Sequence, residues 1–317
     1  RDEAYSQLAA YMNLDPEFTH IGMFSVEQCK AVEGFINSLY VGGDIMSATK
    51  TVEPKANGSI LSSIKPSRKT RPPRIVIAGT SKVGKSTFAS GAPGSLFLPI
   101  DKEEGIDDVD VMSFPVAKGY DDVLQAMRAL YEDEHKFKTL TIDSVSTLQP
   151  LVMRKAREME NVESDAKLGG GYGRQYDTPL NLWTKILTGI DSLRDKKGMA
   201  SILVGHVTTT KFEDPIVGSY TQYELDLPTK IRETIYRWAD VILFANWESH
   251  RITEEAGFNK KEHRGGDGGT RKLYTQRRAS HPGGGRGVYG RLPYEMELSY
   301  GSFMSAVKDA MDQAQAA

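Results

Sequence analysis

A single cysteine, Cys29, in 317 residues excludes any intrachain disulfide. That usage fits a reducing compartment, and the thiol is expected to be buried and inert. Long apolar runs are also missing: nothing approaches the roughly 20 residues that cross a bilayer. The start, Arg1-Asp2-Glu3, is polar and carries no secretory hydrophobic stretch. A cytoplasmic location and no membrane partner are therefore expected. Charge of one sign is scarce overall, with a formal net of −2, which excludes a polycation that coats nucleic acid indiscriminately. With 39% hydrophobic residues, the chain has enough apolar material for one large core.

The charge that is present is uneven. Residues 1–49 hold seven acidic and two basic residues, and residues 50–74 hold seven basic residues against Glu53. Residues 251–291 hold ten basic and four acidic residues. Two regions can therefore meet a polyanion. Organisation follows the same breaks. Residues 1–40 read as an amphipathic helical segment, with Ser25 and Gln28 as a capping box. Residues 41–73 are a basic linker rich in Pro, Gly and Ser, whose Ile60, Leu61 and Ile64 either dock on a neighbouring subunit or pack on their own domain.

From Arg74 strands and helices alternate, which predicts an α/β core over 74–300 with a mostly parallel sheet covered on both faces. A helix or tail over 301–317 closes the chain. Ile75–Ala78, Leu96–Ile100, Val109–Phe114, Leu140–Ile142, Ser201–Val204 and Val241–Phe244 are the expected strands, the third near an edge. Helices are expected over 121–134 and over 178–195, the latter capped by Thr178 with Pro179 in its first turn. From Leu273 onward antiparallel additions are expected, preceded by a flexible turn over Gly265–Gly269.

Gly79-Thr80-Ser81-Lys82-Val83-Gly84-Lys85-Ser86 matches G-x-x-x-x-G-K-[ST], with a strand before it and a helix after it. Such a loop aims backbone N–H groups at phosphates. Lys85 is expected to reach the β- and γ-phosphates of ATP, and Ser86, with Thr87 beside it, to ligate Mg²⁺. Asp143 ends the strand Leu140–Ile142, where a carboxylate faces the ligand crevice and holds Mg²⁺ through water. The other reading of Asp143 is a cap on the following helix. Ser144 stands where many ATPases carry an acid. The base for the attacking water is instead sought in Asp101-Lys102-Glu103-Glu104, after a strand expected to lie next to the phosphate-loop strand. A solvated charged turn is the alternative for that tetrapeptide.

Ile100-Asp101-Lys102-Glu103 resembles a segment of the RecA family whose Glu is the catalytic base. The resemblance implies that role for Glu103, with Glu104 as fallback. Ile202-Leu203-Val204-Gly205-His206 resembles the family strand that ends in a γ-phosphate sensor, implying His206 where Gln is usual. More closely, the chain is similar to phage RecA-like ATPases that act as single-strand annealing recombinases. Gly79–Thr87, Asp101–Gly105, Leu140–Ser144, Gly169–Tyr176, Gly205-His206, Tyr223–Leu227 and Trp238–Ala245 carry that resemblance. It spans about residues 74–295 and leaves 1–49 uncovered. It implies a RecA-like P-loop fold, DNA-dependent ATP hydrolysis, and action in the host bacterial cytoplasm.

Two stretches interleave aromatic and basic residues, which suits single-stranded DNA because bases stack on rings while phosphates pair with cations. One contains Tyr172, Arg174 and Tyr176; the other runs from Lys211 and Phe212 to Lys230 and Arg232. Ordinary active-site lids are the alternative. By resemblance the stretches correspond to the two DNA-binding loops of RecA-like proteins, and Arg277 and Arg278 to cations that act in trans on a neighbouring subunit's ATP; a solvated or DNA-facing basic strand is the alternative for these two arginines. The implied partners are single-stranded DNA, further copies of the chain in a ring or filament, and a single-strand-binding protein. A ring helicase on the same core and a nucleotide-gated interaction module with little turnover stay open as other readings.

Overall fold

The computed structural model describes residues 71–102, 106, 109–171, 173–216, 218–255 and 261–316, with backbone alone for 249–255, 261–268 and 315–316. The expected N-terminal helical segment, Cys29 and all but the end of the linker lie outside the described residues. So do Glu103, Glu104 and Tyr172.

Ten strands form one sheet system. In chain order they are β1 (Arg74–Gly79), β2 (Ser95–Pro99), β3 (Met112–Ser113), β4 (Thr139–Asp143), β5 (Ala200–Asp214), β6 (Gly218–Leu225), β7 (Val241–Glu255), β8 (Lys261–Tyr274), β9 (Gly284–Gly285) and β10 (Glu295–Glu297). The main order is β10-β8-β7-β1-β5-β4-β2-β3, with β6 on β5 and β9 on β7. From β7 through β3 every pairing is parallel. The pairings of β8, β10, β6 and β9 are antiparallel.

Among the described residues six α-helices accompany the sheet: α1 (Lys85–Ser90), α2 (Tyr120–Glu132), α3 (Val145–Glu160), α4 (Asp177–Lys197), α5 (Thr229–Trp238) and α6 (Tyr300–Ala316). The central strands are apolar on both sides because both faces are covered. Val76 and Ala78 of β1 join the cluster made with α2, α3, α4 and α5. Ile75 and Ile77 join the opposite cluster, made with α1 and α6. The terminal helix is no loose tail: Phe303 is wholly buried, and its ring packs 5.9 Å from that of Phe88 on α1.

Four expectations need correction. The strand before Asp101 is not next to the phosphate-loop strand; β4 and β5 stand between them. Pro99 of β2 pairs with Asp143 of β4, and the Ile100 N–H donates to the Asp143 carbonyl at 2.8 Å. The third strand shrinks to Met112–Ser113 because only those residues meet β2 at the sheet edge. Gly265–Gly269 lies within β8, where Gly265 and Gly266 pair with Arg251 and His250; pairing to β7 holds extended a segment whose composition reads as a turn. Helix α4 begins at Asp177 with Tyr176 as N-cap, and the Thr178 hydroxyl instead donates to the Glu160 carboxylate.

Candidate nucleotide site

The C-terminal ends of β1 and β4 lie on either side of the middle of β5, Gly79 opposite His206 and Asp143 opposite Val204, and expected site residues stand there. Register puts Gly79 opposite His206 on one flank and opposite Ala245 on the other. The loop leaves β1 at Gly79 because nothing larger fits: a Cβ there would lie 2.3 Å from the Ala245 carbonyl oxygen. The loop then turns through Lys82 at φ 60° and Gly84 at φ 108°, a region that favours glycine at the second position. Val83 points away from the crevice into the core and is fully buried, which anchors the loop. Ser81, Lys82 and Thr87 are exposed.

Lys85 is buried, 6% exposed, and its ammonium donates to the carbonyls of Gly79 and Thr80 at 3.0 and 2.8 Å. Ser86 Oγ donates to Asp143 Oδ2 at 2.6 Å. The Thr80 hydroxyl donates to Asn246 Oδ1 at 3.1 Å, tying the loop to β7 just past the stretch that pairs with β1.

The alternative for Asp143, a helix cap, is taken by its neighbour. Ser144 is the N-cap of α3, accepting from the Thr147 N–H at 3.2 Å. Asp143 therefore faces Ser86 across the crevice. A hydroxyl and a carboxylate in direct contact at the foot of a phosphate loop form an oxygen donor pair suited to Mg²⁺, which keeps several waters and takes one or two protein oxygens. The geometry fits a nucleoside triphosphate with its metal: Ser86 and Asp143 would hold the ion and Lys85 the phosphate charge. The metal would neutralise charge on the transferring phosphoryl group. Among the described residues no group of three or more His, Cys, Asp or Glu could hold a metal ion.

His206 is half-buried on β5, its backbone N–H held by Ser146 Oγ at 3.0 Å. The strand does not end there. β5 continues to Asp214 and pairs with β6, so the second aromatic–basic stretch is a two-stranded ribbon as far as Leu225 and not a loop, and its Lys230 and Arg232 stand on α5. On it Phe212 pairs with Tyr220, ring centres 5.4 Å apart, and the Arg277 guanidinium lies 5.8 Å over Phe212. Lys211 is exposed beside them. Arg278 lies 4.3 Å over Tyr294.

Arg174 and Lys230, from the two separate stretches, meet on Asp177 at 3.3 and 3.5 Å. Tyr176 caps α4 and packs against the core. Arg232 is turned inward at the base of the ribbon, 3.5 Å from the Glu224 carboxylate, so it does not share the exposed face of Phe212. Gln222 and Tyr236 also donate to Glu224, at 2.8 and 3.1 Å. Burial, and then the Glu224 charge, push the Tyr236 hydroxyl far above its ordinary range and keep it a donor.

Sequence reasoning missed Asn246 and Ser146. The signal for Asn246 is its place directly after the apolar run Val241–Ala245, where the parallel pairing with β1 ends. No helix among the described residues is long and apolar enough to cross a membrane.

No curated protein matches the chain. Residues 71–287 match the AAA_24 family, described as an AAA domain. That match covers well over half of the sequence and includes the phosphate loop, Asp143 and the ribbon, so the chain belongs to the AAA_24 family and carries a P-loop NTPase domain.

Proposed function

We propose that the chain is an ATP-dependent, single-stranded-DNA-binding recombinase that promotes annealing of DNA strands and works as a homo-oligomer. The observation that carries this reading is the continuity of β5. One strand runs from Ala200 past His206, opposite the first residue of the phosphate loop, to Phe212 on the ribbon. A change at the γ-phosphate that moves His206 moves the ribbon through covalent structure.

The ribbon's chemistry supports the ligand. The Phe212–Tyr220 pair offers faces on which bases stack, and Lys211 offers a cation for phosphates. The same reading assigns water activation to Glu103, γ-phosphate sensing to His206, and service to a neighbouring subunit to Arg277 and Arg278. A host single-strand-binding protein would be a further partner. Fluorescence anisotropy with a labelled oligonucleotide, with and without Mg·ATP, tests the reading. Binding that strengthens with Mg·ATP supports it; no binding in any nucleotide state sinks it. An unwinding assay separates annealing from a directional motor on the same core.

A further inference from the structure

We infer that Arg271 is a nucleotide contact supplied in cis, a cation on β8 that grips the phosphates bound by the loop of its own subunit. The inference rests on the reading of Gly79–Ser86 as a nucleotide site and adds a ligand group outside that motif.

Three features place it. Arg271 pairs with Trp247 across the β7–β8 ladder, and its guanidinium carbon lies 4.9 Å from the centre of the Trp247 ring. Trp247 stands two residues past Ala245, the residue opposite Gly79, so the stacked pair overhangs the end of β1. From there the guanidinium reaches the loop: Nη1 is 3.2 Å from where a Cβ on Gly84 would sit. Gly84 is the residue before Lys85, at the point where the backbone must approach phosphate most closely.

The half-buried arginines near the sheet are committed. Arg74 and Arg194 pair with Asp240, and Arg232 pairs with Glu224. Arg271 is exposed, and no carboxylate among the described residues pairs with it. A guanidinium stacked on an indole keeps its in-plane N–H groups available, and those groups match two oxygens of a phosphate at once. Stacking also fixes the side chain beforehand, so less freedom is lost when the ligand arrives. The triphosphate needs such a group, because Lys85 is the one buried cation of the loop itself.

The test is isothermal titration of wild type, Arg271→Ala and Arg271→Lys with Mg·ATP and separately with inorganic tripolyphosphate. Arg271→Ala is expected to weaken both probes by the same factor, about 10- to 100-fold for loss of a charge-assisted contact. Arg271→Lys, which keeps the charge and loses the fork, is expected to recover part of that loss. It also carries the test should the alanine variant fail to fold. Unchanged affinity for both probes overturns the inference. Weakened ATP with unchanged tripolyphosphate also overturns it, since the contact would then be to base or ribose. Lys85→Ala serves as the reference. If wild type binds and Lys85→Ala does not, a silent Arg271→Ala condemns Arg271 alone. Wild type that binds neither probe condemns the nucleotide site and this inference with it.

Discussion

Ser86 Oγ and Asp143 Oδ2 are 2.6 Å apart, although 57 positions separate the two residues in the chain. The contact joins the first turn of α1 to the tip of β4 across the intervening β5. It brings a hydroxyl and a carboxylate to one point beside a buried ammonium, which is what a metal–triphosphate ligand requires.

The first prediction concerns those groups. Lys85→Ala is expected to abolish measurable Mg·ATP binding. Asp143→Asn is expected to retain the fold and lose the dependence of binding on Mg²⁺, because the carboxylate supplies the charge that holds the ion. Titration calorimetry with and without EDTA reads both. Full nucleotide affinity in Lys85→Ala would contradict the assignment.

The phosphate loop, Asp143 and the alternation of strands and helices were legible because each is written locally, in a spacing or a period. Strand neighbours were not: whether β2 lies beside β1 or beside β4 depends on crossovers, and the tetrapeptide after Pro99 reads the same either way. The ribbon was illegible for a related reason. Thr208, Thr209, Thr210 and Lys211 look like a polar loop until β6 supplies a partner for their backbone groups. Arg271 was visible as one of several basic residues, and its distance to Gly84 is purely tertiary.

The first glycine of the loop gives the second prediction. Its usual explanation is room for phosphate, yet here a side chain would collide with the Ala245 backbone, not with ligand space. Gly79→Ala should therefore lower stability even without nucleotide, by about 1–3 kcal/mol for an overpacked site. Urea denaturation of the nucleotide-free protein measures it. A variant that loses nucleotide affinity with unaltered stability would show that phosphate space is the reason after all.

At the opposite end of the strands, Asp240 holds Arg74 and Arg194 together. Arg74 Nη2 and Arg194 Nη2 lie 3.0 and 2.9 Å from its two oxygens, and the Arg74 N–H donates to it at 3.0 Å. All three side chains are at most 14% exposed. Removing the central charge leaves Arg74 with Asp191 as its one remaining carboxylate, 3.0 Å away, and places Arg194 beside that guanidinium in a poorly solvated place. Asp240→Ala should cost about 3–5 kcal/mol, read as a lower urea midpoint. A loss below 1 kcal/mol would mean that water screens the cluster. Because the cluster lies away from the nucleotide end, affinity for Mg·ATP in the folded fraction should be unchanged.

The last prediction is a dependence on pH. His281 is 4% exposed and stacked 4.7 Å from Phe244 at an interplanar angle of 10°. Its Nδ1–H donates to the Pro282 carbonyl at 2.9 Å, so Nε2 accepts from the Tyr294 hydroxyl at 3.2 Å. Both ring nitrogens are satisfied in the neutral form. Burial, reinforced by the positive charge of Arg278, holds the imidazole below its ordinary value despite the opposing Pro282 bond. The unfolded chain then binds a proton that the folded chain refuses. The stabilisation from the neutral ring is complete above the unfolded value of about 6.5 and is lost as pH falls below it towards the folded value. Thermal unfolding of wild type and His281→Phe across pH 7.5 to 5.5 isolates the effect. The phenyl ring keeps the stack and cannot titrate, so the two midpoints should converge, or cross, as pH falls. Parallel curves over that range would show that His281 takes up its proton equally in both states.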